Sequence, residues 1–180
     1  MRITRFVPVF VAAAAVGGLL TGDLASAAAP LVTPAARTAV HLTDYSDNDG
    51  STSTVILADG IGDYGKATSV HPDGTVDPEH SSQLDLALTQ GSFRLDIGGL
   101  HQKIIDAFAD FPANKKTCSG TVNVTGWTPI VAGSGTGAYR GIRGGFTLAV
   151  AIDEVDQKPA CTGLLNQTIV ISGPGSVSTG

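Results

Sequence analysis

The residues with the most chemical promise in this 180-residue chain lie in the run GSGTGAYRGIRGG, Gly133–Gly145, where six glycines surround a tyrosine and two arginines without a carboxylate. Glycine-rich loops can cradle a phosphate on backbone N–H groups, so spacing decides the matter. A dinucleotide fingerprint needs G-x-G-x-x-G, and here Gly133 and Gly135 are followed by Ala138, and Gly135 and Gly137 by Arg140, where the third glycine should stand. A P-loop needs Gly-Lys-Ser/Thr, and Gly65-Lys66 is followed by Ala67. Both motifs also open a helix, whereas GFTLAVAI after this run alternates like a strand. The run therefore reads as a strand-to-strand connection in which Gly135, Thr136, Gly137, Gly141 and Gly144 shape the turn, the glycines through positive φ or close backbone approach.

The other reactive residues give no catalytic pattern. His41, His71, His80 and His101 form no H-x-x-x-H or H-E pair, so no metal is expected. DYSDNDG resembles a calcium loop, but aligning it on Gly50 puts Tyr45 first and Ile56 twelfth, where oxygen ligands are required. Gly133-Ser134-Gly135 lacks the spacing of a nucleophile elbow and precedes a strand. Asp59 with Asp63, and Asp85 with Asp96, are carboxylate pairs that read as turn and solvent-face residues. No cofactor is implied. The ligand-contact candidates are Tyr64, Trp127 and Tyr139, with an apolar body and a polar tip, and the pair Arg94 and Asp96.

Composition bounds what these residues serve. MRITR, the apolar Phe6–Leu20 and the small-residue stretch LASAAAP have the order of a secretory signal peptide, expected to span 1–27 with a cut after Ala27. The apolar stretch is shorter than the roughly 20 residues a membrane span needs. Loss of Arg2, Arg5 and Asp23 moves the formal charge from −5 to −6, and the remaining basic residues are scattered. Neither a nucleic acid nor an acidic membrane surface is an expected partner, because both need clustered basic charge. A secreted, extracellular protein follows, in which Cys118 and Cys161 are expected to pair; two buried free thiols are the alternative. Loop-closure entropy would make such a crosslink worth roughly 4 kcal/mol.

These residues must be positioned by strands. Residues 28–52 mix Ala, Pro and Asp with short apolar runs and read as a flexible or edge-lying lead-in to a domain over 53–180. TVILADGI and GDYGKATSV form a first strand pair, with HPDGTVDPEH a turn segment after it. LDLALT and GSFRLDI alternate around Gln90-Gly91 as a hairpin. Leu100, Ile104, Phe108 and Phe111 change the period to that of one helix, ended by Pro112. TCSGTVNVTG returns to alternation, and Pro129 makes WTPIVAGS an edge or irregular strand. GFTLAVAIDEV and LLNQTIVIS follow, with GSVSTG as a short addition. The fold class is all-β, a single antiparallel barrel of about eight strands with one short helix. Small residues Ala87, Ala149 and Ala151 would then share one face, suited to lining a cavity or to close helix contact.

GSGTGAYRGIRGGFTL resembles the G-G-T-G-x-Y/F-x-G-x-x-G segment of allene oxide cyclase and dirigent-type barrels, and of small secreted bacterial proteins with an allene-oxide-cyclase-like barrel. The likeness runs over about Thr54–Gly180, with GDYG, TQGSFRLDI and Cys161 similar to the bacterial proteins. It implies an eight-stranded barrel with a hydrophobic cavity; plant members cyclise an epoxide or guide radical coupling, and their catalytic residues find no counterpart here. Binding of a small apolar molecule is the expected function. A cofactor-free isomerase or cyclase is the alternative, and an extracellular interaction protein with a filled barrel the second.

Overall fold

Alternation over most of the chain means strands, and the burial of one face of each strand tells which way they curl. The computed structural model describes residues 36–47 and 51–180. The strands are β1 (Thr38–Ser46), β2 (Thr52–Asp59), β3 (Asp63–Val70), β4 (Gln83–Leu88), β5 (Gly91–Asp96), β6 (Ser119–Pro129), β7 (Arg143–Asp156) and β8 (Leu164–Ser178), with helix α1 (Gly98–Phe108) between β5 and β6. They form one antiparallel sheet in the order β5-β4-β3-β2-β1-β8-β7-β6. The inward face carries Val40 and Leu42 from β1, Val55 and Leu57 from β2, Leu84 and Leu86 from β4, Phe93 and Leu95 from β5, and Phe146, Leu148, Val150 and Ile152 from β7, all buried. A sheet with one apolar face must cover it, and curling into a barrel does so without a second layer.

The two edge strands meet where the barrel closes. Leu95 of β5 bridges Ile130, just beyond β6. From Val131 into the glycine run the chain continues along β5 and the residue before it: Val131 N donates to Arg94 O at 2.8 Å, Thr136 N to Ser92 O at 2.8 Å and Ala138 N to Gln90 O at 2.9 Å. The connection between β6 and β7 is thus also the seam of the barrel, and its glycines let two backbones approach. Gly137 has φ +55°, and a Cβ there would stand 2.4 Å from Gln90 O. Gly137→Val is expected to cost roughly 2 kcal/mol or more, read as a lower melting temperature; an unchanged melting temperature would contradict the seam.

Three sequence expectations change. The lead-in assigned to 28–52 contains β1, an interior strand paired with β2 and β8 over Thr38–Ser46. Its inward positions read Val40, Leu42, Asp44 and Ser46, so the buried carboxylate and hydroxyl broke the apolar alternation. Residues 28–35 and 48–50, and the whole of the expected signal peptide, lie outside the described residues. The small-residue face does not line the interior: Ala87 and Ala149 are exposed and Ala151 half-buried on the outer face, because the bulky face packs inward. The last strand is continuous through Pro174, with no break before GSVSTG, since Gly173 and Gly175 let it pass close to β7 and the Phe146 ring. As expected from Pro129, β6 lies at the sheet edge.

Candidate functional site

The barrel interior divides into two halves. At one end Tyr139, carried on a short 3-10 turn at Gly137–Tyr139, packs edge-on against Phe93 with ring centroids 5.2 Å apart. Its hydroxyl donates to Asp63 Oδ2 at 2.5 Å. The Asp63 carboxylate, 3% exposed at the start of β3, also accepts from Tyr64 N at 2.7 Å, Thr89 N at 3.2 Å, Gln90 N at 3.1 Å and the Thr89 hydroxyl. Burial pushes its pKa up, but the hydrogen bonds from Thr89, Tyr139, Tyr64 and Gln90 outweigh it and bring it to about 2. Burial, with Asp63 beside it, pushes the Tyr139 phenol up. Asp63 therefore stays ionised and ties the glycine seam to the β3 start and the β4–β5 turn.

The other half is hollow. A cavity of about 540 Å³ opens between the ends of the strands and α1, with walls from Leu84, Ile97, Val150, Ile152, Ile169 and Ile171 and a cover from Leu100, Ile104, Ile105 and Phe108 of the helix. That volume lies within the range of small-molecule sites. Helix α1 is held over it by Leu100, buried in the core, by His101 Nδ1 donating to Ser81 O at 2.7 Å and by Lys103 Nζ donating to Thr125 O at 2.8 Å.

Polar side chains line this apolar cavity from five strands and the helix: Asp44 and Ser46 of β1, Ser53 of β2, Ser69 of β3, Glu154 of β7, Gln167 of β8 and His101 of α1. Asp44 is 2% exposed. Burial pushes its carboxyl up to about 6, against hydrogen bonds to Ser53 and the Tyr45 backbone that lower it. Its Oδ1 is buried with no hydrogen-bond partner among the described residues. In the sheet Asp44 stands beside Ile171, and Ile171 beside Val150, while Glu154 stands beside Gln167. Asp44 is thus level with a point four residues along β8 from Gln167, roughly 13 Å deeper along the strand. Gln167 Nε2 donates to Glu154 Oε2. Burial raises the Glu154 pKa, the Gln167 hydrogen bond lowers it and nearby Asp156 raises it, with a net rise.

No match to the chain is found among protein-family models, curated proteins or solved structures.

None of the five ligand-contact candidates read from the sequence lines this cavity. Tyr64 and Trp127 are 64% and 58% exposed on the outer face. Arg94 pairs with Asp85 at 3.3 Å across β4 and β5 and lines a smaller surface hollow of about 260 Å³ beside Gly133 and Ser134. Asp96 is exposed and accepts from Gly98 N at 3.1 Å, where the helix begins. Tyr139 closes the opposite end. Gly135, Thr136, Gly137 and Gly141 lie in the β6–β7 connection, and Gly144 lies at the start of β7. Cys118 and Cys161 form a disulfide with Cα atoms 5.0 Å apart, linking the start of β6 to the β7–β8 connection. No cluster of three or more metal-ligating His, Cys, Asp or Glu occurs among the described residues.

Asp44 and Glu154 were overlooked in the sequence, although a signal for each was there. In HLTDYS, Asp44 follows Leu42 at the inward period, and in FTLAVAIDE, Glu154 continues the face of Phe146, Leu148, Val150 and Ile152. A carboxylate in phase with an apolar strand face is a buried carboxylate.

Proposed function

We propose that this is a secreted protein whose half-hollow barrel binds one small, largely apolar molecule under α1. The observation that supports it most is the apolar cavity of about 540 Å³ with Asp44 in its wall, a buried carboxylate whose Oδ1 has no donor among the described residues. An unsatisfied buried acceptor costs free energy in the empty protein, and a ligand that donates to it removes that cost. The filled-barrel reading draws support from the Tyr139 half alone. The disulfide is compatible with an oxidising compartment, and no helix among the described residues is long and apolar enough to cross a membrane.

A fluorescence titration with N-phenyl-1-naphthylamine, an uncharged apolar probe, tests this reading. Saturable micromolar binding is expected, weakened tenfold or more by Ile171→Trp, which fills the cavity wall. Absence of saturable binding to folded protein would contradict it.

The second reading is a cofactor-free isomerase or cyclase, which the likeness of the glycine run to allene oxide cyclase-type barrels brings in. One observation favours it: a carboxyl with a pKa of about 6 beside the cavity can hold or accept a proton near neutral pH. It predicts that a ligand retained by the protein is released at unchanged mass with altered connectivity, and that Asp44→Asn still binds it without that change.

A further inference from the structure

Beside the hydroxyls of Ser46, Ser53, Ser69 and Ser81, the cavity offers chiefly acceptors, among them the carboxylates of Asp44, Glu79 and Glu154. Asp44 Oδ1 has no donor among the described residues. Because Gln167 gives its amide N–H to Glu154, its carbonyl oxygen remains an acceptor, and Glu154 keeps a second oxygen. Because His101 gives its Nδ1 proton to the Ser81 carbonyl, its Nε2 is an acceptor while the ring is neutral. Glu79 adds a carboxylate to the lining, and among the described residues neither Lys nor Arg lines the cavity. Such a lining disfavours an anionic ligand such as a fatty acid, which would face like charge. A hydrocarbon would fill the walls and leave Asp44 Oδ1 unpaired.

We propose that the cavity selects an amphiphilic amine, a compact hydrocarbon body ending in one protonated amino group that meets Asp44. The inference rests on the ligand-binding reading above and narrows it to a chemical class. The apolar body packs against Ile104, Ile169 and Ile171, while the ammonium brings N–H donors and the positive charge that no Lys or Arg among the described residues supplies to the lining. Fixing Asp44 in the wall by folding means that the carboxylate is already desolvated before the ligand arrives. Only the ammonium then has to leave water, which makes the charge pair more favourable than one in which both ions are stripped on binding.

The test compares three naphthalenes of one size on the full chain by calorimetry: 1-naphthylmethylamine, 1-naphthylmethanol and 1-naphthoic acid. The amine is expected to bind at least tenfold more tightly than the alcohol, with the acid weakest, and Asp44→Asn should remove the preference for the amine while keeping alcohol binding. Equal binding of amine and alcohol, both weakened by Ile171→Trp, would overturn the amine proposal and leave the cavity reading standing. A preference that survives Asp44→Asn would overturn the role of Asp44. Binding of none of the three would overturn both readings, and the amine-to-alcohol ratio on the unaltered protein decides the ligand class even if a variant fails to fold.

Discussion

Asp44→Asn is expected to stabilise the ligand-free protein at pH 7.5 by about 2–3 kcal/mol. The Asp44 carboxyl is 2% exposed and its pKa stands near 6 in the folded chain against an ordinary 3.8, a difference of about 2 units at roughly 1.4 kcal/mol each. Below about pH 4 the group is protonated whether the chain is folded or not, and ionisation costs the fold nothing. Between about 4 and 6 the unfolded chain releases the proton while the folded chain holds it, so stability falls as pH rises. Above 6 the full cost is present. Asparagine has nearly the same shape and no charge, so the advantage of the variant should be absent at pH 4, grow through pH 5 and level off above 6. Urea unfolding at those pH values measures it. A variant less stable than the natural chain at pH 7.5 would show that Asp44 is a structural support. A residue that weakens the empty fold and strengthens ligand binding is the usual mark of a functional site.

Asp63→Ala should act in the opposite sense, with a loss of roughly 3–5 kcal/mol at neutral pH. The change leaves the Tyr139 hydroxyl, the Thr89 hydroxyl and the backbone N–H groups of Tyr64, Thr89 and Gln90 without their acceptor in a buried setting. Because the hydrogen bonds hold the Asp63 pKa near 2, its stabilising contribution is complete above about pH 4 and is lost as pH falls towards 2. The natural chain should therefore weaken over that range, and the variant should lack that part of the slope. The loss should also loosen the seam, read as faster amide exchange at Val131 and Thr136, which bond to β5, and at Ala138, which bonds to Gln90 just before it. Unchanged exchange there would contradict the role given to Asp63. Tyr139→Phe, which removes a single donor, should cost about 1 kcal/mol.

The barrel was readable from the strands with clean alternation, as in LDLALT, GSFRLDI and GFTLAVAI, because period-2 apolar patterning is a local property of the chain. Closure was not, since it depends on backbone bonds between β5 and a glycine run some 40 residues later. That run was correctly read as a connection between strands, and it joins β6 to β7. The disulfide was also legible, from two cysteines in a sequence that opens like a secreted one. The ligand-contact candidates were chosen by side-chain type, and type gives no facing: Tyr64 and Trp127 stand out of phase with the inward positions of their strands. β1 was missed for the same reason that makes it interesting. Its inward face ends in Asp44 and Ser46, and a strand whose buried face carries a carboxylate does not look like a strand.

The cavity reading is tested most directly by methyl NMR on isoleucine-labelled protein with an uncharged naphthalene probe. Isoleucines mark each environment: Ile104, Ile169 and Ile171 line the cavity, Ile142 packs in the filled half and Ile56 is exposed on the outer face. Intermolecular NOEs from the probe to the methyls of Ile104, Ile169 and Ile171, with none to Ile142 or Ile56, are the predicted result. NOEs to Ile56 in place of the cavity methyls, or none at all at saturating probe, would contradict it.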